Sequence, residues 1–166
     1  MKTRDMVLCA LFAALMAICA WISIPTGSVS FTLQTFSLFL TLLVLGGKWG
    51  SITVLVYLAL GTMGLPVFSG FQGGIGALLG PSGGFLFGFM LTCLIYWLTT
   101  SLLGKQNLIR ICALCIGLLL SYLTGWFWYC RFAPVNLFLW CLPYLLPDIV
   151  KLCFAYFLAN RLNRIR

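Results

Sequence analysis

Apolar residues run along the chain in long blocks, separated by short polar or glycine-rich stretches. Six blocks stand out, at about 6–24, 31–45, 49–63, 83–103, 108–130 and 137–162. Blocks of this length without a polar face read as helices surrounded by lipid or by other apolar helices. A membrane-crossing helix needs about 20 apolar residues, so the blocks at 31–45 and 49–63 are short. They require a different tilt, an extension into flanking residues, or a bend inside the protein. Pro143 and Pro147 interrupt the last block. The first block follows Lys2 and Arg4, as the apolar part of a signal peptide would. It is long and no clear small-x-small cleavage site follows it, so it reads as a retained helix. The pattern predicts an all-α integral membrane protein, with one transmembrane domain of six helices over residues 1–166.

Composition agrees with lipid as the solvent. Of 166 residues, 63% are hydrophobic and 7% are charged, with a mean hydropathy of +1.12. A soluble domain carries about a quarter charged residues. The net charge is +8, from ten Lys and Arg against two acids. These cations are too sparse and scattered to track a phosphate backbone, which excludes a nucleic-acid partner. They follow the positive-inside rule instead. With the N-terminus in the cytoplasm, Lys2, Arg4, Lys48, Lys105, Arg110, Arg161, Arg164 and Arg166 all fall inside. Only Arg131 falls outside. Both termini are then cytoplasmic, and the connections at 25–30, 64–82 and 131–136 face outward.

Catalytic chemistry has little to work with. The chain has no His and no Glu, so serine nucleophiles lack a His base and no carboxylate pair shares a helix. Eight cysteines are present, but the only close pair is Cys112 with Cys115, one helical turn apart in an apolar run. That pair reads as packing rather than as a metal site. The pattern points to a binding protein, not an enzyme.

Four features carry the remaining chemistry. Asp148 and Lys151 lie three residues apart, on one face of a helix, and follow Pro147, which suits a first helical position. Ionisable residues inside a membrane segment mark a functional site by default. An acid beside an amine offers an acceptor and a donor, which suits a neutral ligand with both N–H and C=O groups. Residues 61–84 hold nine glycines in 24 positions. This stretch reads equally as loop backbone approaching a ligand and as close helix packing at Gly76, Gly80, Gly84 and Gly88. No Walker A motif occurs, so the stretch is not a nucleotide loop. Ala10, Ala13, Ala14 and Ala17 form small-xxx-small pairs that let another helix approach, in this chain or another. Trp126, Phe127, Trp128 and Tyr129 read mainly as an interfacial aromatic belt.

Several stretches together resemble a known family. They are SIPTGSVSFTLQTF (23–36), YLALGTMGLPVFSG (57–70), GGIGALLGPSGGFLFGF (73–89), SYLTGWFW (121–128) and YLLPDIVK (144–151). The chain resembles BioY, the biotin-binding S component of energy-coupling factor (ECF) transporters, in order and over nearly its whole length. The resemblance implies a subunit in the plasma membrane of a prokaryote that captures biotin from outside. Biotin would be cargo rather than cofactor. A transmembrane coupling subunit and two cytoplasmic ATPases would be its partners, with the face of Ala10, Ala13, Ala14 and Ala17 toward the coupling subunit. Asp148 would accept from the ureido N–H groups and Lys151 would donate to the ureido carbonyl. Gln34 and Gln72 would add polar contacts. Gly73, Gly74, Gly83 and Gly84 would let the backbone approach, and Phe68, Phe85 and Tyr144 would pack on the fused rings. The chain departs from the family pattern in having Pro147 where glycine is usual and Phe85 where tyrosine is common. Arg131 is the one cation left over for the ligand's carboxylate.

Other readings predict different behaviour. An S component for another vitamin would keep the fold and change the ligand. An intramembrane protease or acyl transferase would need the bases this chain lacks. A structural scaffold would lose stability, but no activity, on substitution of Asp148 or Lys151.

Overall fold

Residues 3–24, 30–134 and 136–165 are described by a computed structural model, apart from the side chains of 137–142 and 165. Most of the connection expected at 25–30, and the terminal cations Lys2 and Arg166, lie outside the described residues. The chain runs through helix α1 (Thr3–Trp21), a hairpin of β1 (Ser23–Ile24) with β2 (Phe31–Thr32), and α2 (Gln34–Thr62). A 3-10 turn (Ser69–Phe71) and the short α3 (Ile75–Leu79) follow. The long helices α4 (Gly83–Leu102), α5 (Asn107–Tyr129) and α6 (Leu137–Ile165) complete it. The two strands pair antiparallel, Ser23 with Thr32 and Ile24 with Phe31.

The fate of the two short apolar blocks is decided at Gly46. Its φ of 79° and ψ of 176° interrupt α2, in a region of backbone space that only glycine enters without strain. Residues 34 and 57 would stand about 35 Å apart on one straight helix. Instead Gln34 Nε2 donates to Tyr57 Oη at 2.8 Å, so the chain doubles back at Gly46 into a helical hairpin. The first arm, 34–45, spans only about 18 Å. It tolerates this because it lies inside the bundle, with Leu38, Phe39, Thr41 and Leu42 buried. Replacing Gly46 by Ala should destabilise the protein by about 1–3 kcal/mol through backbone strain alone, since a Cβ there meets nothing within 4 Å. A thermal melt in detergent that leaves the midpoint unchanged would refute that account of the turn.

The break leaves the Leu43 carbonyl at a helix C-terminus without a helical partner. Arg110 Nη2 and Asn163 Nδ2 donate to it, and Arg110 Nε donates to Tyr96 Oη at 3.1 Å. These bonds place the Gly46 turn, the start of α5 and the end of α6 at one end of the bundle. At the other end, Trp21 Nε1 donates to the Pro66 carbonyl at 2.7 Å and Trp128 Nε1 to the Gly80 carbonyl at 3.0 Å. Arg4, Lys48, Lys105, Arg110, Arg161 and Arg164 therefore gather at the first end, and Arg131 stands at the second.

Polarity is arranged for lipid. Large apolar side chains such as Leu11, Phe127, Phe154 and Phe157 are exposed. Thr41, Thr53 and Thr92 are buried, and each returns its hydroxyl to the carbonyl four residues earlier. Thr3–Trp21, Gly83–Leu102 and Asn107–Tyr129 are each long and apolar enough to cross a membrane. Helices α4 and α5 pack closely against each other. At Gly117 a Cβ would stand 2.5 Å from Thr92 Cγ2, and at Gly88 2.6 Å from Ser121 Cα, so small residues set this approach.

Two local expectations are corrected. Pro147 lies in the interior of α6 rather than at its first position; neighbouring helices make such a proline tolerable in a membrane helix. Cys112 and Cys115 are exposed on α5 instead of packed inside.

Candidate functional site

A cavity opens at the end of the bundle that carries Trp21 and Trp128, with about 580 Å³ of empty space including its mouth. Its walls come from several elements: β2 through Phe31 and Thr32, the start of α2 through Gln34 and Thr35, and the 3-10 region through Phe68 and Ser69. The first turns of α4 add Ser82, Phe85, Leu86 and Phe89, α5 adds Tyr122, and α6 adds Tyr144, Asp148 and Lys151.

Its chemistry centres on the two charges of α6. Lys151 Nζ meets Asp148 Oδ1 at 2.6 Å, with side chains 8% and 7% exposed. A buried ion pair of this kind keeps both charges only while each has a partner and further hydrogen bonds. Those bonds are present. Lys151 donates to the Thr32 carbonyl at 2.7 Å and to Thr35 Oγ1 at 3.2 Å, which occupies all three of its N–H groups. Thr35 Oγ1 donates to Asp148 Oδ1 at 2.9 Å, and Tyr122 Oη donates to Asp148 Oδ2 at 2.6 Å. The ammonium also sits 3.8 Å from the centre of the Phe31 ring.

The aromatic wall is locked from behind. Phe68 fits into α2 at Gly61, where a Cβ would come 2.1 Å from its ring, and meets Tyr57 edge-on at 5.7 Å. Tyr57 Oη donates to the Val67 carbonyl at 2.9 Å, which ties the loop before Phe68 to α2. Phe85 stands edge-on to Tyr122 at 6.0 Å. Trp21 stacks on Phe71 at 5.1 Å, holding α1 against the same loop.

Asp148, Lys151, Gln34, Phe68, Phe85 and Tyr144, singled out from the sequence, thus meet in one cavity. Gln72, Gly73, Gly74, Gly83 and Gly84 do not line it. Gln72 is exposed and its backbone pairs with Phe68. A Cβ on Gly73 would strike the Leu65 carbonyl at 2.3 Å, one on Gly83 the Leu78 carbonyl at 1.7 Å, and one on Gly84 Trp128 Cβ at 2.4 Å. These three glycines serve close packing of the chain on itself. Arg131 also lies away from the cavity, with its guanidinium 4.6 Å from the Trp128 ring centre. The alanine face divides: Ala13 and Ala17 are 5% and 7% exposed within the chain's own core, while Ala10 and Ala14 are exposed.

Sequence reasoning missed Thr35 and Tyr122, the two hydroxyls that orient Asp148. A tyrosine and a threonine inside apolar runs were the available signal, but no spacing rule connects residues 35, 122 and 148 before the fold does. Among the described residues, no group of His, Cys or acidic side chains suited to a metal occurs.

A lipid-facing helical bundle that closes over a charged, aromatic-walled cavity at one end is a membrane protein that binds a small polar ligand. The chain belongs to the BioY family, whose model matches residues 1–166. It is similar to a protein of Pyrococcus horikoshii described as a probable biotin transporter BioY, with 43% identity over 98% of both chains. It is also similar to the biotin transporter BioY of Thermotoga maritima, with 39% identity over 98% of this chain and 97% of that one. Its fold is similar to a crystal structure of the S-component for biotin from an ECF-type ABC transporter. The TM-score is 0.88 at 26% identity, covering 98% of this chain and 92% of the other.

Proposed function

We propose that this chain is the S component of an ECF transporter and captures biotin from outside the cell. The observation that carries the reading is the buried Asp148–Lys151 pair inside an aromatic cavity, in a chain whose relatives are described as biotin transporters. A ureido ring presents N–H donors and a carbonyl acceptor side by side. Asp148 receives the donors and Lys151 serves the carbonyl, while Phe68, Phe85 and Tyr144 cover the apolar faces of the bicycle. The valerate chain then points toward the rim, where Ser30, Ser69 and Ser82 offer hydroxyls. Arg131 plays no part in holding its carboxylate.

ATP is consumed by partner subunits. A transmembrane coupling subunit carrying two ATPases docks on the exposed Ala10 and Ala14, where small side chains admit a close helix. The clustering of Arg4, Lys48, Lys105, Arg110, Arg161 and Arg164 at one end supports a cytoplasmic location for both termini. The cavity then opens outward, in the plasma membrane of a prokaryote.

The test is binding of labelled biotin to the purified protein in detergent, with unlabelled biotin and thiamine as competitors. Saturable binding displaced by biotin alone is the expected result. Displacement by thiamine with equal strength would assign the cavity to a different vitamin, and absence of binding by folded protein would overturn the reading.

A further inference from the structure

A second cavity lies on the outer surface of the α4–α5 pair, lined by Gly84, Phe87, Leu123, Thr124, Phe127, Trp128 and Arg131. Its walls are apolar, and its one hydroxyl is already committed, since Thr124 Oγ1 donates to the Leu120 carbonyl at 2.9 Å. Arg131 follows the last turn of α5 at the end of the bundle where Trp21 and Trp128 sit. Lys151, the other described cation toward that end, is buried and paired with Asp148. The Arg131 guanidinium is held over Trp128 at 4.6 Å and Phe127 at 5.9 Å, within the range of a cation–π contact.

Among the described residues this cation has no anion of its own. The chain contains two acids. Asp5 lies in the first turn of α1, at the opposite end, and Asp148 is bound to Lys151 inside the bundle. A guanidinium fork fits a phosphate bidentately, and tryptophan at a helix end marks the headgroup level of a bilayer. Below that level the walls formed by Phe87, Leu123 and Phe127 suit hydrocarbon and nothing polar.

We propose that this groove binds one anionic phospholipid, with its phosphate on Arg131 and an acyl chain along Phe87, Leu123 and Phe127. The lipid also explains why a cation stands against the positive-inside pattern: it faces a lipid phosphate instead of a protein carboxylate. The groove shares helices α4 and α5 with the ligand cavity but none of its lining residues, so the two sites are separable by mutation.

The experiment is native mass spectrometry of the full chain released from micelles containing equal phosphatidylglycerol and phosphatidylcholine. Wild-type protein should retain phosphatidylglycerol in about fivefold preference, the ratio that ~1 kcal/mol per cation gives at a membrane surface. Arg131→Gln should bring the ratio to about one. Leu123→Trp, which fills the groove and keeps the cation, should reduce retention of both lipids. Thermal melts on the same samples confirm that each variant is folded. A wild-type ratio near one, a preference that survives Arg131→Gln, or retention unchanged in Leu123→Trp would each overturn the assignment.

Discussion

Asp148→Asn and Lys151→Met should each weaken biotin binding and lower the melting temperature, while the double variant should recover stability without recovering binding. Each single change strands a charge. Without the carboxylate, Lys151 keeps a cation among Phe31, Thr32 and Thr35 with no anion to offset it. Without the ammonium, Asp148 keeps two hydroxyl donors and loses its counter-ion. Removing one partner of a buried pair costs about 3–5 kcal/mol, because it strands the other charge, and removing both leaves no charge stranded. Binding follows a different rule. A hydrogen bond to a charged group contributes about 1.5–3 kcal/mol, so losing the contact at either ureido group weakens binding by about 10- to 100-fold. Parallel melts and biotin titrations separate the two effects. If the single variants bound biotin like wild type and only melted earlier, the pair would be a structural clamp.

Ala14→Trp should abolish uptake in cells that contain the complete transporter while leaving biotin binding by the purified chain unchanged. Ala14 faces out of the bundle, so a large side chain there disturbs only what docks on α1. Ala17→Leu is the control, because Ala17 lies in the core with Met16 and Leu38. Overpacking there costs about 1–3 kcal/mol and appears as a lower melting temperature. Uptake by Ala14→Trp at the wild-type rate would place the coupling subunit on another face.

The sequence made the helices legible because lipid imposes a simple code, in which long apolar runs cross and short polar ones connect. It also made the two short blocks legible as an anomaly, although their resolution needed Gly46, whose positive φ is invisible in a hydropathy pattern. The paired charges of α6 were legible because a membrane interior makes them expensive. The glycine-rich stretch was ambiguous for a physical reason. Glycine serves a ligand-facing loop and a tight helix contact by the same absence of a Cβ, and only the position of Leu65, Leu78 and Trp128 decides between them. The alanine face posed the same difficulty, since small residues at every third and fourth position look alike whether they meet a neighbour within the chain or outside it. Tyr122 and Thr35 come together with Asp148 across 26 and 113 residues of chain, a distance over which no local pattern speaks.

The three N–H groups of Lys151 are already engaged by Asp148, Thr32 and Thr35. In the proposed binding mode, arrival of a ligand is therefore an exchange of partners, and affinity would measure the difference between two sets of bonds. A guest lacking either the donor or the acceptor half of a ureido group displaces an internal bond and returns nothing for it. A buried polar group left unmatched in this way costs about 1–3 kcal/mol. In that mode the cavity would refuse near-misses by what they undo.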